Sequence, residues 1–332
     1  MGQGACGGRW TASAFPTRPP PVSSEPRRPA AGGAGLRRRI AVEGSEASSH
    51  LSTIRRVSIA FASALALGGG AAAAAAWGVF EAGWVRLREL DVELPGLPPE
   101  LDGLRIAHLS DFHLGLPSLG TRAVERAVAW TAARRPDLVC ITGDLLSHPR
   151  GEARLRALLE RLDPCYAILG NHDIGVRRDP FSKAHPLAEL GGTTLLFDEA
   201  VELELRGRRV LVAGLDPASR WREPDLGGEA DLRILLAHFP DTFGRIGEDS
   251  YDLVLSGHMH DGQICVPLPR GKLRLAHPSA PYACGLYRRG PMTMHVSPGL
   301  GTTFVPIRFF ARPEATELRL RSPRGGSLGD RD

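Results

Sequence analysis

Apolar and polar positions along this 332-residue chain fall into two periods and one long uncharged run. Period-two alternation begins at Trp84 in WVRLRELDVELP, which predicts a half-buried strand. Short apolar runs follow at 104–111 (LRIAHLSD), 137–144 (DLVCITGD), 165–173 (CYAILGNHD), 208–216 (RRVLVAGLD), 232–241 (LRILLAHFPD) and 251–260 (YDLVLSGHMH). Each is short, rich in Leu or β-branched residues, and closes on a polar cluster, as a strand does. Between some of them, TRAVERAVAWTAARR (121–135) and EARLRALLERL (152–162) repeat apolar residues at i, i+3, i+4 and i+7, the helical period. Strands alternating with helices predict an α/β fold. In such folds sites form beyond the carboxyl ends of strands, and here polar residues follow each strand directly.

The first 56 residues show almost no period. They are rich in Pro, Gly, Ala, Ser and Arg, a composition expected to be disordered. From Val57 to Val79 no charge occurs over 23 residues, enough for a helix to span a bilayer, which takes about 20 residues. The run is only weakly apolar, being mostly Ala and Gly. Three readings stay open: a membrane anchor, a cleaved export signal with Ala74–Ala76 as a small-residue cleavage site, or a buried Ala-rich helix. Arg55 and Arg56 before the run resemble a twin-arginine signal in part. In either export reading these arginines remain cytoplasmic. The folded domain, expected over 84–320 with a flexible 321–332 tail, then faces the extracytoplasmic side of the membrane.

Charge changes the picture by exclusion. Residues 1–56 carry nine arginines and three glutamates, or +6, and the rest of the chain carries −2, together giving +4. The folded part is therefore not basic, which excludes a nucleic-acid groove as the expected partner surface. Five cysteines without CxxC spacing are not a disulfide framework. Cys140 and Cys165 sit in apolar runs as core residues, and a Cys265–Cys284 bridge is compatible with an oxidising compartment.

The candidate chemistry lies at the strand ends. Collected in order they are Asp111 and His113, Asp144 after Gly143, Asn171 and His172 after Gly170, His238, and His258 and His260 after Gly257. Aspartate, asparagine and histidine ligands without cysteine suit Mn²⁺, Fe or Zn²⁺. The count exceeds what one ion needs and suits two sharing a carboxylate. The glycines are read as residues that let the backbone turn sharply. Asp173, Asp241 and Asp261 are read as orienting groups rather than ligands, and His185 as a candidate substrate contact. Gly299 and Gly301 lack the Lys-Ser/Thr of a phosphate-binding P-loop.

SDFH (110–113), GDLL (143–146), GNHD (170–173), AHFPD (237–241) and GHMHDGQ (257–263) together resemble the calcineurin-like metallophosphoesterase superfamily. HMHDGQI and VSPGLGTTFVPIRFFARPE (296–314) are similar to its YkuE-like, membrane-associated bacterial branch. The resemblance implies a four-layer αββα sandwich, two mixed β-sheets flanked by helices. It implies two divalent metal ions, one on Asp111, His113, Asp144 and His260 and the other on Asp144, Asn171, His238 and His258. It implies His172 as general acid or electrostatic stabiliser in hydrolysis of a phosphodiester or pyrophosphate by a metal-bridging hydroxide. The DRG that follows this aspartate in Ser/Thr protein phosphatases is replaced by GDLLSH, so a protein phosphatase is not expected. The expected partners are a phosphoester substrate, lipid-linked or from the envelope, and the membrane, with the chain a monomer. A general phosphomonoesterase and a non-catalytic metal-binding scaffold are the alternatives.

Overall fold

The computed structural model describes residues 66–175, 179–187, 189–219, 224 and 229–323, with 55, 56, 58, 62 and 63 as isolated positions. The expected disordered segment 1–56 and part of the uncharged run 57–79 lie outside the described residues. A compact unit extends from Leu67 onward. It opens on helix α1 (66–83). Among the described residues no helix is long and apolar enough to cross a membrane. The part of the uncharged run that is described is mostly Ala and Gly, and α1 continues into Glu81.

Two six-stranded mixed sheets follow. The first has the order β1-β14-β2-β3-β4-β5, built from β1 (Arg86–Glu93), β2 (Arg105–Leu109), β3 (Leu138–Thr142), β4 (Cys165–Ile168), β5 (Thr193–Leu195) and β14 (Glu314–Arg321). The second has the order β12-β13-β9-β8-β7-β6, built from β6 (Glu199–Leu205), β7 (Arg208–Gly214), β8 (Leu232–Leu236), β9 (Leu253–Ser256), β12 (Gly285–Arg289) and β13 (Met292–Val296). β2 through β5 are parallel neighbours, as are β7, β8, β9 and β13. A separate hairpin pairs β10 (Cys265–Leu268) with β11 (Gly271–Arg274).

Alternation within each strand decides the layers. Ile106, Leu138, Cys140 and Ile168 of the first sheet meet Val212, Ile234, Leu236 and Leu255 of the second in one buried cluster. The intervening Leu109, Val139, Ile141 and Ala167 face the other way, onto α2 (Gly120–Arg134) and α3 (Glu152–Leu159) through Val124, Val128, Leu155 and Leu159. Each fully buried Leu or Ile contributes about 1.5–3 kcal/mol relative to exposure, so the inter-sheet cluster is the main source of cohesion. Over the outer face of the second sheet, the cover among the described residues is the 3-10 helix Pro240–Gly244, with Phe243, Tyr251 and Met259. The expected pair of sheets with helices outside is present, and its cover over the second sheet is thin and rich in aromatic and Met side chains.

Candidate metal centre

Parallel strands deliver their following residues to one end of the sandwich. Asp111 and His113 follow β2, Asp144 follows β3, Asn171 and His172 follow β4, His238 follows β8, and His258 and His260 follow β9. All seven candidate ligands and His172 converge there. His113 Nε2 lies 3.0 Å from His260 Nε2 and 3.5 Å from Asp144 Oδ2, and His260 Nε2 lies 3.5 Å from Asp111 Oδ1. On the other side of Asp144, the same Oδ2 lies 3.5 Å from His238 Nε2. That nitrogen is 3.0 Å from Asn171 Oδ1 and 3.2 Å from His258 Nδ1. Asp111, His113 and His260 form one group close enough to hold a cation, and Asp144, His238 and His258 another.

The backbone is bent hard to achieve this. Asp111, His113, Asp144, His258 and His260 all have positive φ, between 48° and 70°, a region costing about 1–3 kcal/mol for a side-chain-bearing residue. Such outliers persist where surrounding bonds over-determine them. Asp144 Oδ1 accepts from the His172 amide at 2.8 Å, and Asp111 accepts from the His258 amide. His238 Nδ1 donates to the Thr142 carbonyl at 2.8 Å, and His113 Nδ1 bonds Ser147 Oγ at 2.9 Å. The buried Asp173 accepts from the amides of Leu145, Leu146 and Gly170, which fixes the loop that carries Asp144. Its expected orienting role therefore has a physical form. Asp241 instead pairs with Arg245 on the surface, and Asp261 anchors Lys272 and Arg274.

The glycines need a correction. Only Gly143 among the three has positive φ, at 89°. Gly170 and Gly257 are small because other segments of the chain approach them closely. A Cβ at Gly170 would fall on the Asp144 carboxylate, and one at Gly257 on Ser110 Oγ and Asp111. Gly257→Ala is expected to destabilise the fold by about 1–3 kcal/mol through overpacking and to displace Asp111. Denaturant unfolding at matched cation concentration measures this, and an unchanged midpoint would refute the close-approach account.

Electrostatics follow from burial and proximity. Burial acts to raise Asp111 and Asp144, yet neighbouring imidazoles hold both carboxyls below the ordinary range: His260 and His238 act on Asp111, and His238 and His113 on Asp144. Burial lowers His113 and His260, and burial with the His238 charge lowers His258 to about 3. Burial also opposes protonation of His238, but the Asp144 carboxylate outweighs it and raises this group to about 9. The cluster thus brings together two carboxylates, an amide oxygen and four imidazoles. That donor set fits divalent cations of the Mn, Fe or Zn kind.

The structure adds residues that the sequence pattern did not single out. His172 Nδ1 lies 3.2 Å from Ser182 Oγ, which donates to Asp179 Oδ2 at 3.1 Å, and the same oxygen accepts from the Phe304 amide at 3.0 Å. Asp179 and Ser182 stand in an irregular stretch with no periodicity to mark them. The buried Arg308 donates to the carbonyls of Gly301, Pro298 and Ala311 and reaches His260 Nδ1 at 3.1 Å; burial lowers it to about 10. His277 lines the cavity above the centre, whereas His185 pairs with Glu152 and does not line it. That cavity, about 890 Å³, is lined by Asp144, Asn171, His172 and His258 together with the apolar Phe304, Val305 and Leu275. Cys140, Cys165, Cys265 and Cys284 are all free.

Comparison with known proteins agrees with this geometry. The profile of the calcineurin-like phosphoesterases matches residues 104–262. The chain is 31% identical over 246 residues to the uncharacterized metallophosphoesterase YkuE of Bacillus subtilis, covering 68% of this chain and 82% of that one. It is 30% identical over 231 residues to phosphodiesterase YaeI of Escherichia coli, covering 65% and 82%. It is 34% identical over 260 residues to a zebrafish (Danio rerio) transmembrane protein with a metallophosphoesterase domain, covering 70% of this chain and 57% of that one. Ligating residue types at five strand ends, gathered about one shared carboxylate and matched at this identity over most of two relatives, make this chain a member of the calcineurin-like phosphoesterase family, a hydrolase.

Proposed function

We propose that the protein hydrolyses a phosphodiester or pyrophosphate bond with two divalent cations, on a lipid-linked or envelope substrate. The observation that carries this reading is Asp144, whose Oδ2 stands 3.5 Å from a histidine of each donor group. Asp111, His113, Asp144 and His260 would hold one ion, and Asp144, Asn171, His238 and His258 the other. When bound, such ions neutralise phosphoryl charge and make water acidic enough to serve as a nucleophile near neutral pH. His172 carries the proton for the departing oxygen. Its Nδ1 is engaged by Ser182, which fixes the ring with Nε2 free. A positioned acid contributes about 10²–10⁴ in rate.

The apolar side chains that line the cavity, Phe304, Val305 and Leu275, support a substrate with a hydrocarbon portion. The name of YaeI supports a diester. The name of the zebrafish relative and the uncharged run 57–79, which extends into α1, support a domain held at the membrane, in the YkuE-like branch, with its site on the extracytoplasmic side. The test is hydrolysis of bis(p-nitrophenyl) phosphate against p-nitrophenyl phosphate. The diester is expected to turn over about tenfold faster or more, chelation to abolish both activities, and Mn²⁺ to restore them. Faster monoester turnover, or activity that survives chelation, would count against the proposal.

A further inference from the structure

One exposed face is built unlike the rest of the surface. At the end of α1, Trp77, Phe80 and Trp84 are 43%, 52% and 40% exposed and stack on one another with centroids 5.5–6.2 Å apart. Trp77 Nε1 donates to Glu81 at 2.8 Å, so its polar atom is satisfied and its ring is left outside. Glu81 also accepts from the amides of Phe310 and Ala311, which holds the half-exposed Phe310 against the helix. Lys272 donates to the Phe310 carbonyl, joining the β10–β11 hairpin to the same face. On its side opposite Pro267 and Lys272 the hairpin exposes Val266, Leu268 and Leu273. An exposed aromatic cluster beside a hairpin with an exposed apolar side marks an interaction site rather than solvent-facing cover.

Its charge decides what it meets. Arg86, Arg88, Arg270, Lys272, Arg274 and Arg312 surround the apolar residues, and Arg312 stacks on the Trp84 ring at 3.7 Å. The acids that face them are the buried Glu81, Asp261 and Glu314, of which Glu314 pairs with Arg86 and Arg88 and Asp261 with Lys272 and Arg274. Six cations against three acids leave the rim net cationic. Tryptophan with arginine at the edge of an apolar patch is the chemistry of a headgroup region, and cations there are drawn to anionic lipid. A cleft of about 310 Å³ between Trp77, Trp84, Arg86, Arg88 and Lys272 is open to one such headgroup.

We propose that this face, formed by the end of α1, Phe310 and the β10–β11 hairpin, lies on an anionic phospholipid bilayer. The proposal rests on the membrane reading given above and assigns the surface that realises it. It also places the centre. Asp261, next to His260, binds Lys272 and Arg274 of β11, and Ile264 and Leu275 at the base of the hairpin line the cavity. The bilayer-facing surface and the cavity thus adjoin at the foot of one hairpin, and a lipid-linked phosphoester would reach the centre without leaving the surface.

The test uses the full-length chain with an added tryptophan as a depth probe. Leu268→Trp reports on the hairpin tip, and Glu204→Trp on β6, at the far edge of the second sheet. Vesicles of phosphatidylcholine with roughly one-third phosphatidylglycerol are prepared with and without dibrominated lipid, and wild type corrects for native tryptophans. Equal unfolding midpoints establish that both variants fold. The expected result is about a twofold loss of the Leu268→Trp contribution, none for Glu204→Trp, and weaker quenching on neutral vesicles. Sedimentation of wild type with vesicles while Leu268→Trp stays unquenched would overturn this face and leave the membrane reading standing. Quenching of both probes alike, or equal quenching on neutral lipid, would overturn it too. Failure of wild type to sediment with vesicles would overturn both readings.

Discussion

Asp144→Asn is expected to lower turnover on the order of 10³-fold, the scale of losing a principal electrostatic element of a site, and to empty both cation positions. The substitution keeps the shape of the side chain and an oxygen to accept the His172 amide. It removes the charge that both donor groups share. Without that charge only Asp111 and the Thr142 carbonyl oppose the effect of burial on His238, so its hold on a proton weakens as well. The loss is expected to be functional and not structural. Asp144 also helps burial to raise the neighbouring Asp173 carboxyl to about 7, and removing one of two buried charges relieves that repulsion. The cation-free variant should therefore unfold no earlier than cation-free wild type. Elemental analysis, steady-state kinetics and thermal unfolding check the three parts, and two ions per chain in the variant would refute the shared carboxylate.

His172→Ala is the complementary case. It should keep both ions and lose about 10²–10⁴ in kcat, because His172 lies beside the donors while its own Nδ1 is turned to Ser182. The loss should grow with the basicity of the leaving group. A p-nitrophenolate needs little help from an acid, whereas an alkoxide cannot depart unprotonated. Turnover of an alkyl diester that survived the substitution undiminished would remove His172 from the acid role. Loss of ions in the variant would show that His172 belongs to the donor set, consistent with its grouping with His113 and Asp144.

How much of this was readable in the chain depends on how local each signal is. Strands β2, β3, β4, β7, β8 and β9 and helices α2 and α3 announced themselves because each buries a face with its own period, as Ile106 and Leu109 do on opposite sides of β2. The donor residues were legible because every one follows such a strand. Gly170 and Gly257 were misread as turn formers, since what restricts them is a side chain from another loop. Asp179, Ser182 and His277 left no mark, because irregular backbone carries no period and their value arises only once His172 and His258 lie nearby. β5, β6 and β10 through β14 also fell outside the predicted runs. β5 and β10 through β13, at three to five residues each, owe their form to neighbours more than to propensity; the longer β6 and β14 were passed over.

The donors are divided between the two sheets, with Asp111, His113, Asp144 and Asn171 from one and His238, His258 and His260 from the other. Occupancy therefore fastens the halves of the sandwich like a clasp. Prising the sheets apart must first release the ions, so resistance to unfolding becomes a function of free cation, by about 2.7 kcal/mol at a hundredfold excess over the dissociation constant of one site. A cell that starves this protein of metal would weaken its seam as well as silence its chemistry.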